Sequence, residues 1–305
     1  MAKNILEIKN FSKTYKGNKK AVDNLSITVE AGDIYGFIGH NGAGKSTTIK
    51  SVVGVLEFTE GEIYIDGHSV KKEPMECKSI TAYIPDNPDI YEFLTGIQYL
   101  NFVADIFGIE QSVRQERIKT YGDLFGITEN LGDLISSYSH GMKQKLALSC
   151  ALIHRPDVLF LDEPTTGVDP VSRSEFWDML DRLKRQGITI LVSTPYMDEA
   201  SRCDRIALVR SGECLSIDTP VGIRTSFDRR LYAVRCASMY KLLGDLREFP
   251  DTNSCFAFGD AHHLTLRRDG EDVMRRLQEY LKGKGYADVS IERLEPSVED
   301  CFMAL

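Results

Sequence analysis

The sequence predicts an α/β fold, a mostly parallel sheet flanked by helices, followed by a smaller α+β unit. Three observations carry this expectation. Strand-length apolar runs alternate with helical patterns over the first 220 or so of the 305 residues. A β-α-β-β-α-β order follows a composition shift at Thr219 and Pro220, the arrangement called ferredoxin-like. The composition is 42% hydrophobic and 27% charged, which suffices to bury cores without covalent staples. The expected boundaries are 1–220 and 225–305, with a helical subdomain at about 87–150.

In chain order, strands are expected at residues 5–8, 25–29 and 33–39, the last running into a glycine-rich loop. A helix over 45–55 follows, with Ile49, Val52 and Val53 on one face. Residues 61–66 alternate as a strand. The stretch 94–126 reads as helical, with Leu100, Val103, Ala104 and Phe107 at i, i+3, i+4 and i+7. Another helix is expected over 139–153. Residues 157–161 form a short apolar run typical of a strand buried on both faces. Next come a helix at 176–186 and strands at 188–193 and 207–209. Beyond Pro220 the expected elements are strand 231–236, helix 239–249, strands 254–258 and 263–267, helix 271–284 and strand 289–294. A short helix at 297–305 ends the chain.

Charge and cysteine usage narrow the function classes. The net charge is −8, and from Val221 onward 13 basic residues face 14 acidic ones. No electrostatic grip on nucleic acid or anionic lipid is expected from this balance, which excludes a basic tail but leaves room for a local basic groove. The seven cysteines are dispersed, with no CxxC pair, and read as free thiols of a reducing compartment. The opening residues lack the apolar stretch of a secretory signal, and no run approaches the length of a membrane span. His262 and His263 lack a third ligand at metal spacing and are expected to be surface imidazoles. Trp177 is expected to be a packing residue.

The strongest motif is Gly39-His40-Asn41-Gly42-Ala43-Gly44-Lys45-Ser46, which satisfies GxxxxGK[ST]. It follows an apolar strand and opens a helix, the context in which backbone amides and a helix N-terminus surround phosphate oxygens. Lys45 supplies a mobile positive charge for β- and γ-phosphates, and Ser46 can ligate Mg²⁺. Thr47 is counted with the same site. The apolar run ending in Asp162 and Glu163 places two carboxylates at the sheet edge. Asp162 can hold Mg²⁺ through water, and Glu163 can polarise an attacking water as general base.

With these residues the chain resembles the ATP-binding-cassette (ABC) ATPases, the motor subunits of ABC transporters. Within them it is similar to exporter ATPases that pair with separately encoded ABC-2-type membrane subunits. The resemblance covers residues 5 to about 220, and Glu295-Pro296-Ser297-Val298-Glu299-Asp300 resembles the close of the family's C-terminal extension. It implies a P-loop NTPase core with an antiparallel β region and a helical subdomain that docks the membrane subunit. Tyr15 matches the aromatic that stacks on adenine. Tyr138-Ser139-His140-Gly141-Met142 stands where the family has LSGGQ. The resemblance implies that Ser139 and Gly141 reach in trans to the ATP of a head-to-tail partner. Asp169 matches the D-loop residue that couples the two sites.

Two positions depart from the family pattern. The glutamine of the γ-phosphate-sensing loop is Asp86, which can still bind Mg²⁺ but adds negative charge beside phosphates. The switch histidine is Pro195, which has neither imidazole nor backbone N–H. The implied function is an ATP-binding and ATP-hydrolysing subunit of an exporter, using ATP and Mg²⁺, as a homodimer or with a related ATPase. ATP is expected to bind normally and hydrolysis to be slow, unless a partner subunit contributes the competent site. The alternatives are a nucleotide-gated module with little ATPase activity and a soluble, non-transport ABC ATPase. The latter is expected to show tandem cassettes, long coiled-coil insertions or basic linkers, which this sequence lacks. The expected location is cytoplasmic, on the inner face of the membrane through the partner.

Overall fold

The computed structural model describes residues 3–305, so Met1 and Ala2, where the first expected domain begins, lie outside the described residues. The chain divides into two compact units, Met1–Pro220 and Val221–Leu305.

The first unit opens with β1 (Asn4–Tyr15), β2 (Lys19–Glu30) and β3 (Ile34–Ile38), then α1 (Lys45–Val52). Next are β4 (Glu60–Ile65), β5 (His68–Ser69), α2 (Pro74–Ser79) and β6 (Thr81–Ile84). The helices α3 (Gly96–Ile106), α4 (Gln111–Phe125) and α5 (His140–Leu152) follow. The unit continues through β7 (Val158–Asp162), α6 (Pro170–Arg185), β8 (Thr189–Thr194), β9 (Arg205–Arg210) and β10 (Glu213–Asp218).

Two sheets organise this unit. An antiparallel one runs β2-β1-β4-β5, and a six-stranded one runs β10-β9-β3-β8-β7-β6. In the second sheet β9, β3, β8, β7 and β6 pair in parallel and only β10 is antiparallel. Every residue of β3, β7 and β8 is buried, as expected of strands covered on both faces. Phe11, Phe37, Ile49, Ile63, Phe160 and Leu191 belong to one core cluster fed by both sheets and α1. Each such side chain contributes about 1.5–3 kcal/mol relative to exposure.

Two expectations of element boundaries are corrected. The helical stretch 94–126 is two helices, because the chain turns at Gly108 with a φ of 63° before α4 begins. Thr95 caps α3 through a capping box with Gln98. The helix expected from 176 begins at Pro170, since Asp169 caps it and proline at the first position forfeits no helical hydrogen bond. Strands β5, β6 and β10 went unrecognised in the sequence, being short or weakly patterned.

The linking helix α7 (Pro220–Thr225) leads into the second unit. There β11 (Leu231–Arg235), α8 (Met239–Glu248), β12 (Thr252–Phe258), β13 (Ala261–Leu266), α9 (Glu271–Gly283) and β14 (Ser290–Leu294) succeed one another. The strands form an antiparallel sheet in the order β12-β13-β11-β14, the ferredoxin-like topology. Leu242 and Leu246 of α8 share a core with Leu277 and Leu281 of α9 and Leu264 of β13. The closing helix α10 (Val298–Ala304) is capped by a Ser297–Asp300 box.

The expectation of surface imidazoles at His262 and His263 is not met. Their strand β13 lies inside the sheet, between β12 and β11. His262 is buried and donates from Nε2 to the Met239 carbonyl at 2.6 Å. His263 Nδ1 meets Asp300 Oδ1 at 2.6 Å. Trp177 is buried at 2% exposure.

Candidate functional site

Parallel pairing decides where the chemistry sits. Ile38, the last residue of β3, pairs with Thr194 at the end of β8, and Asp162 at the end of β7 pairs with Ser193. The loop after β3, the two carboxylates after β7 and the turn after β8 therefore meet at one sheet edge. The crevice beyond the carboxyl ends of parallel strands is where α/β sheets bind ligands.

Residues 39–46 wrap this edge and lead into α1. Gly44 has a φ of 100°, and a Cβ built there would lie 2.4 Å from the Ala21 carbonyl oxygen. At Gly39 a Cβ would lie 2.2 Å from the Val209 carbonyl oxygen. The bend is therefore pinned between β2 and β9, a position only glycine permits. Gly44→Ala is expected to lower the unfolding free energy by about 2–4 kcal/mol, combining left-handed strain with overpacking. Gly42→Ala, with a φ of 83° and open space around it, is expected to cost about 1 kcal/mol. Urea midpoints of the two variants test the difference, and equal losses would refute the steric account.

Lys45 is 3% exposed, and its ammonium folds back over the bend. It donates to the Gly39 carbonyl at 2.7 Å and the His40 carbonyl at 3.1 Å, and it pairs with Glu163 Oε1 at 3.1 Å. Ser46 Oγ donates to Asp162 Oδ1 at 2.9 Å. Ser193 Oγ donates to the same oxygen at 2.7 Å and accepts from the Glu163 amide at 3.0 Å. Ser193 was not singled out in the sequence, although its place at the end of a buried strand beside Asp162 could have flagged it.

Whether a divalent cation fits here can be judged from Asp162. Its Oδ2 is buried and has no hydrogen-bond partner, and burial pushes its carboxyl above the usual range despite the bonds from Ser193 and Ser46. A buried carboxylate with one free oxygen beside a serine hydroxyl suits a hard cation. Asp86 is exposed on the segment after β6 and makes no hydrogen bond to Ser46 or Asp162, although its charge adds to the rise at Asp162. Burial, with Asp162 and Asp86 nearby, also raises Tyr83, whose hydroxyl is buried and unpartnered.

Tyr15 stands over the same loop. Its hydroxyl lies 3.2 Å from Thr47 Oγ1, and its ring is 42% exposed. Tyr15, Lys16, Gly42, Lys45, Thr47 and Glu163 are among the residues lining one cavity of about 550 Å³. That lining brings the expected aromatic, loop and carboxylate together, but Ser139, Gly141, Asp169 and Asp86 are outside it.

Ser139 caps α5 by accepting from the Met142 amide at 3.2 Å, and nothing lies within 4 Å of a Cβ built on Gly141. Tyr138, which stands for the family leucine, is an anchor. It is 5% exposed, and its hydroxyl donates to the Asn130 carbonyl at 2.6 Å. Gly96 makes room for that hydroxyl, since a Cβ there would lie 2.4 Å from it. Asp169 accepts from the Val171 and Ser172 amides at 3.1 Å, and bonds from Ser172 above all hold its carboxyl below the usual range. After Thr194, Pro195 offers no donor, and the Tyr196 amide is already committed to Thr194 Oγ1 at 3.0 Å.

A glycine bend at the carboxyl edge of a parallel sheet, with a lysine, a hydroxyl and a buried acid in reach, defines a phosphate-binding-loop nucleotide-binding protein. Residues 22–166 match the family described as ABC transporter. The chain is 35% identical over 231 residues to the daunorubicin/doxorubicin resistance ATP-binding protein DrrA of Streptomyces peucetius, covering 75% of this chain and 70% of DrrA. It is 38% identical over 216 residues to the probable multidrug ABC transporter ATP-binding protein YbhF of Escherichia coli. That match covers 71% of this chain and spans only 37% of YbhF's length. A solved ATP-binding subunit of an ABC transporter superposes with a TM-score of 0.66 at 32% identity, covering 73% of this chain and 93% of that one. The chain belongs to the ATP-binding proteins of ABC transporters.

Proposed function

We propose that the chain binds and hydrolyses ATP and that this cycle drives a separate membrane-spanning partner in the direction of export. The observation that carries the reading is the convergence of Lys45, Ser46, Asp162 and Glu163 at the ends of neighbouring parallel strands. Among the described residues no helix is long and apolar enough to cross a membrane, and the reading gives the movement of cargo to the membrane-spanning partner. The resistance and multidrug names of DrrA and YbhF support export, and the proposal takes the partner to be of the ABC-2 type.

The residues divide the work as follows. The bend 39–46 directs amides at the phosphates while Tyr15 takes the base. Phosphate oxygens compete with Glu163 for the Lys45 ammonium, because the two already lie 3.1 Å apart. Released from that pair, the Glu163 carboxylate takes the proton of the attacking water. Mg²⁺, when bound by Ser46 and Asp162 with Asp86 as a further oxygen donor, neutralises phosphate charge. Ser139 and Gly141 serve the nucleotide of a second copy or a related ATPase, and Asp169 couples the two sites.

Slow turnover with ordinary ATP affinity follows from Pro195, because a water-positioning group acts on the transition state more than on binding. Pro195→His is expected to raise turnover about 10–100-fold while ATP affinity changes less than about threefold. Steady-state phosphate release measured beside equilibrium ATP binding tests this, and an unaltered rate would contradict it. ATP affinity without any turnover, in both proteins, would favour a nucleotide-gated module instead. Copurification with ribosomes rather than with a membrane-spanning protein would contradict the transport role.

A further inference from the structure

The second unit contains a small cavity that none of the roles above uses. It measures about 220 Å³, and its lining includes four arginines, Arg224, Arg229, Arg230 and Arg293, against a single carboxylate, Glu295. The arginines come from three segments. Arg224 lies in α7, Arg229 and Arg230 directly precede β11, and Arg293 is in β14. The β11–β14 ladder fixes their meeting, with Leu231 opposite Leu294 and Tyr232 opposite Arg293. Arg224 Nε donates to the Pro296 carbonyl at 3.1 Å, which orients its guanidinium.

These charges are poorly neutralised by the protein itself. By contrast, Arg235 pairs with Asp260 at 2.9 Å and Arg276 with Asp251 at 2.8 Å. Around the cavity, Arg229 meets Asp228 only at 3.7 Å and Arg230 meets Asp269 only at 3.8 Å. The Arg293 side chain has no ion pair or hydrogen bond among the described residues. Like charges held around one cavity repel one another, and a compact anion relieves that repulsion. Guanidinium forks match the tetrahedral oxygens of phosphate better than a point charge would. The volume is below the roughly 300 Å³ typical of drug-sized ligand pockets, so a phosphate group fits where a whole nucleotide does not.

We propose that this cavity is an anion site for a multiply charged phosphate group, separate from the nucleotide loop. The group is either a free phosphate compound or the headgroup of an anionic phospholipid, which share the chemistry that four guanidiniums recognise. Because the cavity is open to solvent, binding is expected to weaken steeply with salt.

The test uses the full chain carrying Lys45→Ala, which silences the nucleotide loop and makes the outcome independent of the ATPase reading. Calorimetric titration with pyrophosphate is expected to give one saturable site. Arg293→Gln is expected to weaken it about tenfold, and Arg229→Gln with Arg293→Gln further still. Arg268→Gln, an equal charge change outside the cavity, is expected to leave it intact. Sedimentation with phosphatidylglycerol vesicles is the second arm. Binding to vesicles alone, lost in the double variant, supports the site and assigns it to a headgroup. No binding of either probe would overturn the proposal, and so would binding that Arg268→Gln weakens as much as Arg293→Gln. Unchanged urea midpoints show that the variants remain folded.

Discussion

Lys45→Ala is expected to weaken ATP binding by about 100-fold and to abolish turnover. The ammonium is folded over the phosphate bend, held by the Gly39 and His40 carbonyls at 2.7 and 3.1 Å. A hydrogen bond to a charged group contributes about 1.5–3 kcal/mol, and tenfold in affinity corresponds to about 1.4 kcal/mol. Losing one such contact to phosphate therefore costs about one to two orders of magnitude. The truncation also leaves two carbonyls and the Glu163 carboxylate without their shared donor, which sets the effect at the upper end. Equilibrium binding of a fluorescent ATP analogue checks this. A dissociation constant within threefold of the unmodified protein would place the phosphates elsewhere.

Glu163→Gln should separate chemistry from binding. The backbone at this residue is anchored twice, its amide donating to Ser193 Oγ at 3.0 Å and to the Ser193 carbonyl at 3.1 Å. Its φ of 48° is a left-handed conformation that a non-glycine residue adopts at a cost of about 1–2 kcal/mol. Strain of this kind, held by surrounding bonds, is a mark of functional positions. Glutamine fills the same space without a basic oxygen, so single-turnover phosphate release is expected to fall by about 10²–10⁴-fold. ATP affinity is expected to hold or rise, because a neutral amide competes less well than a carboxylate for Lys45. Unchanged turnover would remove Glu163 from the role of base.

The phosphate loop and the Asp162–Glu163 pair were legible in the sequence because each is a local pattern: glycines before a lysine, or an apolar run ending in acids. The parallel sheet was legible for the same reason, since strands buried on both faces read as continuous apolar runs. What stayed hidden depends on contacts distant in the chain. The fit of Tyr138 against Gly96 joins residues 42 positions apart. Ser193 gains its role only by lying opposite Asp162 in the sheet. The start of α6 was hidden because its first turn, from Pro170, carries few apolar residues, although the Asp169-Pro170 pair announces a helix start. His262 looked exposed because polarity suggests the surface, whereas it lies on an internal strand and its ring is buried against the Met239 carbonyl of α8.

Whether a nucleoside triphosphate occupies the bend 39–46 is settled most directly by a crystal structure of Glu163→Gln grown with Mg²⁺ and ATP. The account predicts phosphate oxygens against the amides of that bend, Lys45 Nζ turned from residue 163 towards them, and a cation beside Ser46 and Asp162. An intact fold with that bend empty, or with ATP bound at another surface, would contradict it.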